Sequence, residues 1–375
     1  MAPSLFVSVG DPSGERALEP VLRRVRTEGI RTAGLFGRLT EKLMDEPVAD
    51  LETINATGLL EVLPKLPSVW RTKKKVENHL KEKRPDLLLL VDAPGFNLPL
   101  LKKARGLGVP KVAYFILPQV WAWKEGRKKV LEEEADLLLS VLPFERRYYS
   151  PKRGRFVFVG HPSVERLEPV LSEDPSKVRS RVGLKEDYFV VFLGSRANEV
   201  KRHLPVFEKA LPAAVKEFGL RPVVLAFRRF KPLVRRLRPT ARIVYLDENP
   251  DLGYRLIRGA RFGWIKSGTT AFEAALLDLP HLTFYRLSRP TYWLAKRLVK
   301  VPFVHLANLV LEERAVPELL QEELTVSNLL EETYRLLGNA DHQRDNFRIL
   351  RKLLRPEGKR TSQRVAEELL NLLKG

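Results

Sequence analysis

Cysteine is absent from all 375 residues, which excludes disulfides, thiolate metal sites and a cysteine nucleophile without fixing the redox compartment. Long apolar runs are missing too. The longest, such as Leu87–Val91 and Leu137–Leu142, fall far short of the roughly 20 residues needed to cross a bilayer. No cationic region precedes the apolar run Leu5–Val9, so the N-terminus reads as a buried strand, and a cytoplasmic chain is expected. Acidic residues are scarce beside basic ones: 46 Asp and Glu against 66 Lys and Arg, a net charge of +20. That excess favours an anionic partner, whether nucleic acid, an acidic lipid surface or a phosphorylated substrate. A solvated surface rich in ion pairs accounts for it equally well. No recognised nucleic-acid motif is present, so no nucleic-acid partner is expected.

What remains is a globular composition, 44% apolar and 30% charged, in a chain long enough for two domains. Aliphatic and β-branched runs alternate with helix-like stretches, the pattern of a parallel sheet covered on both faces. The first half carries Leu5–Val9, Leu87–Val91, Lys111–Ile116, Leu137–Leu142 and Phe156–Val159. The second carries Phe189–Leu193, Val223–Phe227, Ile243–Leu246, Phe262–Ile265 and Leu282–Tyr285. Two doubly wound α/β units in tandem are therefore expected, with domains at 1–168 and 169–340 and a linker near Glu165–Lys185. The tail 341–375 is expected to pack back on the first domain, because the helix Thr361–Lys374 has apolar Val365, Leu369, Leu370, Leu372 and Leu373 to cover.

In such sheets ligands bind beyond the carboxyl ends of the strands, and polar residues cluster there in this sequence. Gly10-Asp11-Pro12-Ser13-Gly14-Glu15 follows the first run; it suits an anion at a helix start, or a plain tight turn. Asp92-Ala93-Pro94-Gly95-Phe96-Asn97 follows the leucine run, with Asp92 a candidate general base or a turn cap. His161 follows another strand, and Ser195 and Arg196 follow Gly194; these could meet hydroxyls or phosphates. Ser267-Gly268-Thr269-Thr270, with Glu273 one helical turn later, suits a diphosphate and ribose hydroxyls, or is an ordinary N-cap with an acidic turn. Between Lys65 and Arg84 lie eight basic and two acidic residues. Val69, Trp70 and the run Lys73, Lys74, Lys75 there place apolar groups beside positive charge, as a peripheral membrane contact requires. A basic helix beside a buried tryptophan is the alternative.

Taken in order, these segments resemble the lipid-A-disaccharide synthase family from Ser8 to about Gln321. The most specific are Val91-Asp92-Ala93-Pro94-Gly95-Phe96-Asn97-Leu98, Pro118-Gln119-Val120-Trp121-Ala122-Trp123, Leu142-Pro143-Phe144-Glu145, Phe158-Val159-Gly160-His161-Pro162, and the stretch from Thr291 to Lys300. The resemblance implies a GT-B fold, two Rossmann-like domains facing a central cleft. It implies inverting transfer of diacylglucosamine from its UDP ester to diacylglucosamine 1-phosphate, without cofactor or metal, at the inner face of the bacterial cytoplasmic membrane. It also implies Asp92 as base, and Arg196, Asn308 and the Ser267–Glu273 loop on the donor nucleotide. Asp11, Ser13, Gly14, Glu15, Asn97 and His161 join them as cleft candidates.

The sequence departs from the family pattern at several points. Asp11 and Glu15 replace the Glu and Asp of Gly-Glu-x-Ser-Gly-Asp, and Gly95 stands where a second Asp is common. Leu193 replaces a Pro, Lys266 a small residue, and the family's Ala-Gly-Arg is missing after Asn308. A UDP-sugar epimerase or hydrolase of the same fold is the rival enzyme class, distinguished by turnover without acceptor. A polyanion-binding protein is the rival outside enzymes, distinguished by salt-sensitive binding indifferent to Asp92.

Overall fold

Five consecutive aliphatic residues, Leu87–Val91, are all buried, as only a strand with both sheet faces covered allows. In the second half Tyr188–Phe192 is buried in the same way. Each is a central strand of its own parallel sheet. The computed structural model of the chain describes residues 2–54, 59–122, 125–181, 183–184, 186–247, 250–288, 291–293, 297, 301–356 and 358–375.

The first unit comprises Met1–Pro162 and Leu354–Gly375. Its elements run β1 (Ser4–Val9), α1 (Pro12–Thr27), β2 (Arg31–Phe36), β3 (Glu46–Asp50), α2 (Leu59–Lys83), β4 (Leu87–Val91), α3 (Pro94–Ala104), β5 (Val112–Phe115), α4 (Arg127–Glu134), β6 (Leu137–Ser140) and β7 (Arg155–Phe158). The strands form a seven-stranded sheet in the order β3-β2-β1-β4-β5-β6-β7. The second unit, Ser163–Leu353, holds most of α5 (Pro162–Leu171), then α6 (Pro175–Arg181), β8 (Tyr188–Phe192), α7 (Ala197–Phe218), β9 (Arg221–Ala226), α8 (Lys231–Val234) and β10 (Arg242–Tyr245). It continues with α9 (Pro250–Gly259), β11 (Gly263–Lys266), α10 (Thr269–Leu276), β12 (His281–Tyr285), α11 (Leu306–Leu311), β13 (Glu318–Leu320), α12 (Val326–Gly338) and α13 (Ala340–Leu353). Its six strands are ordered β10-β9-β8-β11-β12-β13.

Each apolar run recognised in the sequence overlaps a strand, most of them extending one or two residues beyond it. Three further strands, β2, β3 and β13, were not expected. All lie away from the sheet centres, where burial is partial and the apolar pattern weak. Within β2, Gly34 has φ +143°, and a Cβ there would lie 2.0 Å from the Val7 carbonyl oxygen. β3 begins Glu-Pro, as an edge strand tolerates. The stretch expected as a linker is occupied by α5 and α6, with Pro175 at the first position of α6, where a missing N–H costs nothing.

The chain re-enters the first unit at Leu354, whose carbonyl accepts from the His161 amide at 3.0 Å. Gly160 has φ +85°, and a Cβ there would lie 2.4 Å from Pro356 Cδ. The last helix, α14 (Thr361–Lys374), packs on α1. Val365 and Leu369 are fully buried, and Glu368 pairs with Arg155 at 2.7 Å. Leu369→Ala is expected to cost about 2–5 kcal/mol, the range for a buried leucine truncated to leave a cavity. A urea midpoint unchanged from wild type would show that α14 is dispensable to the first unit.

Candidate functional site

In the first sheet the strand order reverses between β1 and β4, the kind of switch point at which open parallel sheets bind ligands. Val9 pairs with Val91, which sets Gly10 and Asp11 level with Asp92 and Ala93. The approach is close: a Cβ on Gly10 would lie 2.3 Å from the Ala93 Cβ. Asp92 and Ala93 both take left-handed backbone, φ +47° and +45°, a conformation that costs an ordinary residue roughly 1–2 kcal/mol. It is held from behind. The Asp92 carbonyl accepts from the Tyr114 hydroxyl at 2.7 Å and from Asn97 Nδ2 at 2.8 Å. Asn97 Nδ2 also reaches the Val91 carbonyl at 3.1 Å, and its Oδ1 accepts from the Ser8 hydroxyl at 2.6 Å.

The carboxyl of Asp92 is thereby confined. Burial, then the charge of Asp11, push it up to about 7, against a hydrogen bond from the Ala93 amide. Asp11 caps α1, accepting from the Gly14 amide at 2.7 Å; burial raises it too, opposed by that amide and by Arg16. Two carboxyls in one poorly solvated corner favour a single negative charge between them.

Several other residues read as cleft candidates have structural partners instead. Asn97 is fully buried and occupied as described. Glu15 turns inward: one oxygen accepts from the Leu39 amide at 2.8 Å and from the Thr40 amide and hydroxyl, both at 3.0 Å, tying down the loop after β2. Gly14 makes a tight helix start, for a Cβ there would lie 2.9 Å from Asp11 Oδ1 and 3.1 Å from Val9 Cγ2. Ser13 stays exposed, and the His161 backbone is engaged with Leu354. Glu145 stands in a family-like segment but not among the candidate site residues. It is buried and pushed up to about 7 by that burial, and it accepts from Ser140 Oγ at 2.5 Å and Trp121 Nε1 at 3.3 Å. These bonds join the loops after β5 and β6 and account for two of the family-like segments; Trp123 lies outside the described residues.

In the second sheet the order reverses between β8 and β11, and Phe192 pairs with Ile265. Two helices therefore begin side by side, at Ala197 and at Thr269. The first is already capped from within: Glu199 accepts from the Ser195 and Arg196 amides at 3.1 and 3.3 Å and pairs with Lys266 at 3.0 Å. The Arg196 side chain, 54% exposed, reaches Glu199 only at 3.6 Å. At the second start Gly268 has φ +148°, and no side chain caps α10. Thr269 is exposed, Thr270 half-buried and Ser267 buried.

Glu273, one turn into α10, is 5% exposed and is hydrogen-bonded to Arg166. Burial opposes the Arg166 charge, but Glu273 and Tyr254 outweigh it and hold its pKa above the ordinary value. Arg166 was not singled out in the sequence; it lies five residues past His161, beyond the loop that drew attention. Asn308, expected on the donor, is fully buried. Its amide donates to the Val316 carbonyl at 2.8 Å and to Glu318 at 3.0 Å, and its oxygen accepts from the Val316 amide at 2.8 Å, so it closes a loop of its own unit. Among the described residues no group of three or more histidine, aspartate or glutamate side chains is placed to hold a metal ion.

Two doubly wound parallel units of this topology define the GT-B class. Solved structures agree: a putative UDP-N-acetylglucosamine 2-epimerase from Listeria monocytogenes matches with TM-score 0.66 at 13% identity, over 100% of this chain and 96% of that one. Acinetobacter baumannii MurG matches with TM-score 0.59 at 13% identity, over 99% and 100%. Likeness at that identity shows the fold. The chain belongs to the lipid-A-disaccharide synthase family: the profile described as lipid-A-disaccharide synthetase matches residues 5–371. The lipid-A-disaccharide synthase of Sulfurihydrogenibium sp. (strain YO3AOP1) is 33% identical over 94% of this chain and 95% of its own length. That of Myxococcus xanthus (strain DK1622) is 32% identical over 99% and 98%. The protein is accordingly a glycosyltransferase of lipid A biosynthesis.

The Asp92 carboxyl has a pH signature with a definite sign. Its folded pKa, about 7, lies above the ordinary 3.8. The native state therefore holds the extra proton between those values, and the stability this contributes is present at acid pH and lost as pH rises through 7. Asp92→Asn should raise the urea midpoint at pH 8 and change it little at pH 4. A midpoint lowered at both would make Asp92 a structural cap.

Proposed function

We propose that the chain transfers a diacylglucosamine unit from UDP-diacylglucosamine to diacylglucosamine 1-phosphate, inverting the anomeric carbon, with Asp92 as the base. The observation that carries this reading is the Asp92 corner itself. A carboxyl is held at a strand end by a clamped, strained backbone, and its proton affinity is matched to neutral pH. The acceptor hydroxyl attacks the anomeric carbon from the face opposite the nucleotide. Asp92 takes its proton as the new bond forms, and the bond to the diphosphate breaks, releasing UDP. A base with pKa near the working pH is the effective kind, since it is both ionised and basic enough.

On the donor side the uncapped start of α10 at Gly268, Thr269 and Thr270, with Ser267 behind it, supports a diphosphate site. The helix end and the Arg196 guanidinium would stabilise the charge that develops on the leaving group. Glu273 would accept from the ribose hydroxyls. Asn308 acts one step removed, through the loop it closes. Asp92→Asn keeps the shape but accepts no proton, so turnover is expected to fall at least ~10²-fold while UDP affinity by calorimetry stays near wild type. Full turnover in this variant would move the base to Asp11.

Both substrates carry acyl chains, so the enzyme must meet a lipid surface, which we place at the inner face of the cytoplasmic membrane. No helix among the described residues is long and apolar enough to cross one, but α2 offers a contact. It buries Thr72, Val76 and Leu80 on one stripe, while Leu66, Trp70 and Lys74, four residues apart, share another. Trp70 is 62% exposed, contrary to the buried tryptophan of the alternative reading, and Lys74 Nζ lies 5.4 Å from its ring. Lys73 and Val69 are half-buried and Lys75 exposed. Liposome binding should rise with anionic lipid and fall with salt, at about 1 kcal/mol per basic residue near the surface. Reversing the charges of Lys73, Lys74 and Lys75 should abolish that dependence; equal pelleting with neutral and anionic vesicles would leave α2 an ordinary solvated helix.

A further inference from the structure

We infer that Arg166 is a positioning residue of the donor site, one that orients the Glu273 carboxylate for a pair of ribose hydroxyls. The inference rests on the reading of Glu273 given above and adds a residue outside every strand-end loop. Arg166 is fastened on several sides within the second unit. It bonds Glu273 Oε1 on α10, lies 4.9 Å over the Tyr254 ring on α9 and reaches Ser163 Oγ on its own helix at 3.4 Å. Its neighbours Val164, Leu167 and Val170 are buried, so α5 is held by its apolar face and the guanidinium projects from a fixed base.

The chemistry follows from what a vicinal diol needs. An ionised carboxylate accepts from two O–H groups on both of its oxygens, whereas a protonated acid gives up acceptor capacity to its own hydrogen. Glu273 is nearly buried, where a charged group needs a partner. A guanidinium at Oε1 keeps the charge in place and fixes the plane of the carboxylate.

The test is selectivity for the ribose, measured by calorimetric titration of UDP and 2′-deoxy-UDP into wild type, Glu273→Gln, Arg166→Met and Arg166→Lys. One hydrogen bond to a charged group is worth about tenfold or more, so wild type should prefer UDP by that factor. Glu273→Gln and Arg166→Met should both bring the preference close to one. Arg166→Lys, which keeps the charge and most of the packing, should fall between, and it carries the test if the Met variant does not fold. An arginine that only supports the fold would weaken both nucleotides alike and leave the preference at its wild-type value. That result, with Glu273→Gln still losing it, overturns the role of Arg166 alone. A preference unchanged in Glu273→Gln overturns the ribose reading of Glu273 and this inference with it.

Discussion

The contact between Gly10 and Ala93 is the constraint on which the first unit's chemistry depends. β1 and β4 are neighbours, and the loops leaving them meet closely enough that a side chain at position 10 would overlap Ala93. The left-handed pair Asp92-Ala93 sits against that glycine, and Asn97 and Tyr114 hold the Asp92 carbonyl. The strain lies in the backbone and its support comes from buried hydrogen bonds, which are worth more away from water. The Asp92 carboxyl is half-buried on this fixed backbone, and burial together with the charge of Asp11 raises its proton affinity.

The second unit solves a different problem with the same sheet architecture. Two helix starts converge at its switch point, each with amides and a dipole that would attract an anion. Glu199 closes one of them by supplying the anion internally, and Lys266 in turn balances Glu199. Burial depresses the Lys266 pKa, with Glu199 opposing, so this lysine is committed to its partner. The start of α10, which no side chain caps, is the one proposed for the diphosphate. The lysine that stands in place of the family's small residue is an internal counter-charge to Glu199.

The charge excess divides in a similar way. Many surface cations sit beside carboxylates one helical turn away, such as Arg23 with Glu19 and Arg348 with Asp345, pairs worth little to stability. The lysine run on α2 stands beside an exposed tryptophan, and there the positive charge has apolar company.

Sequence alone determined the class of fold, the central strands and the places where chemistry could sit, because burial on both faces leaves unbroken aliphatic runs and ligands meet the loops that follow them. It also carried enough ordered segments to reach the family. Tertiary structure decided which polar residues in those loops hold the loops together. Asp92 and Asn97 stand five residues apart in one motif, yet one presents a confined carboxyl and the other is consumed by the backbone. Glu15, Asn308 and Lys266 proved to be fasteners, and Arg166, on a stretch that read as linker, proved to be the partner of Glu273. The physical reason is that hydrogen bonding is local in space but not along the chain. A buried polar side chain must find a partner, and the same residue types serve a ligand or the scaffold. The choice depends on which backbone amide or carbonyl the fold brings within about 3 Å, a distance that no periodicity records.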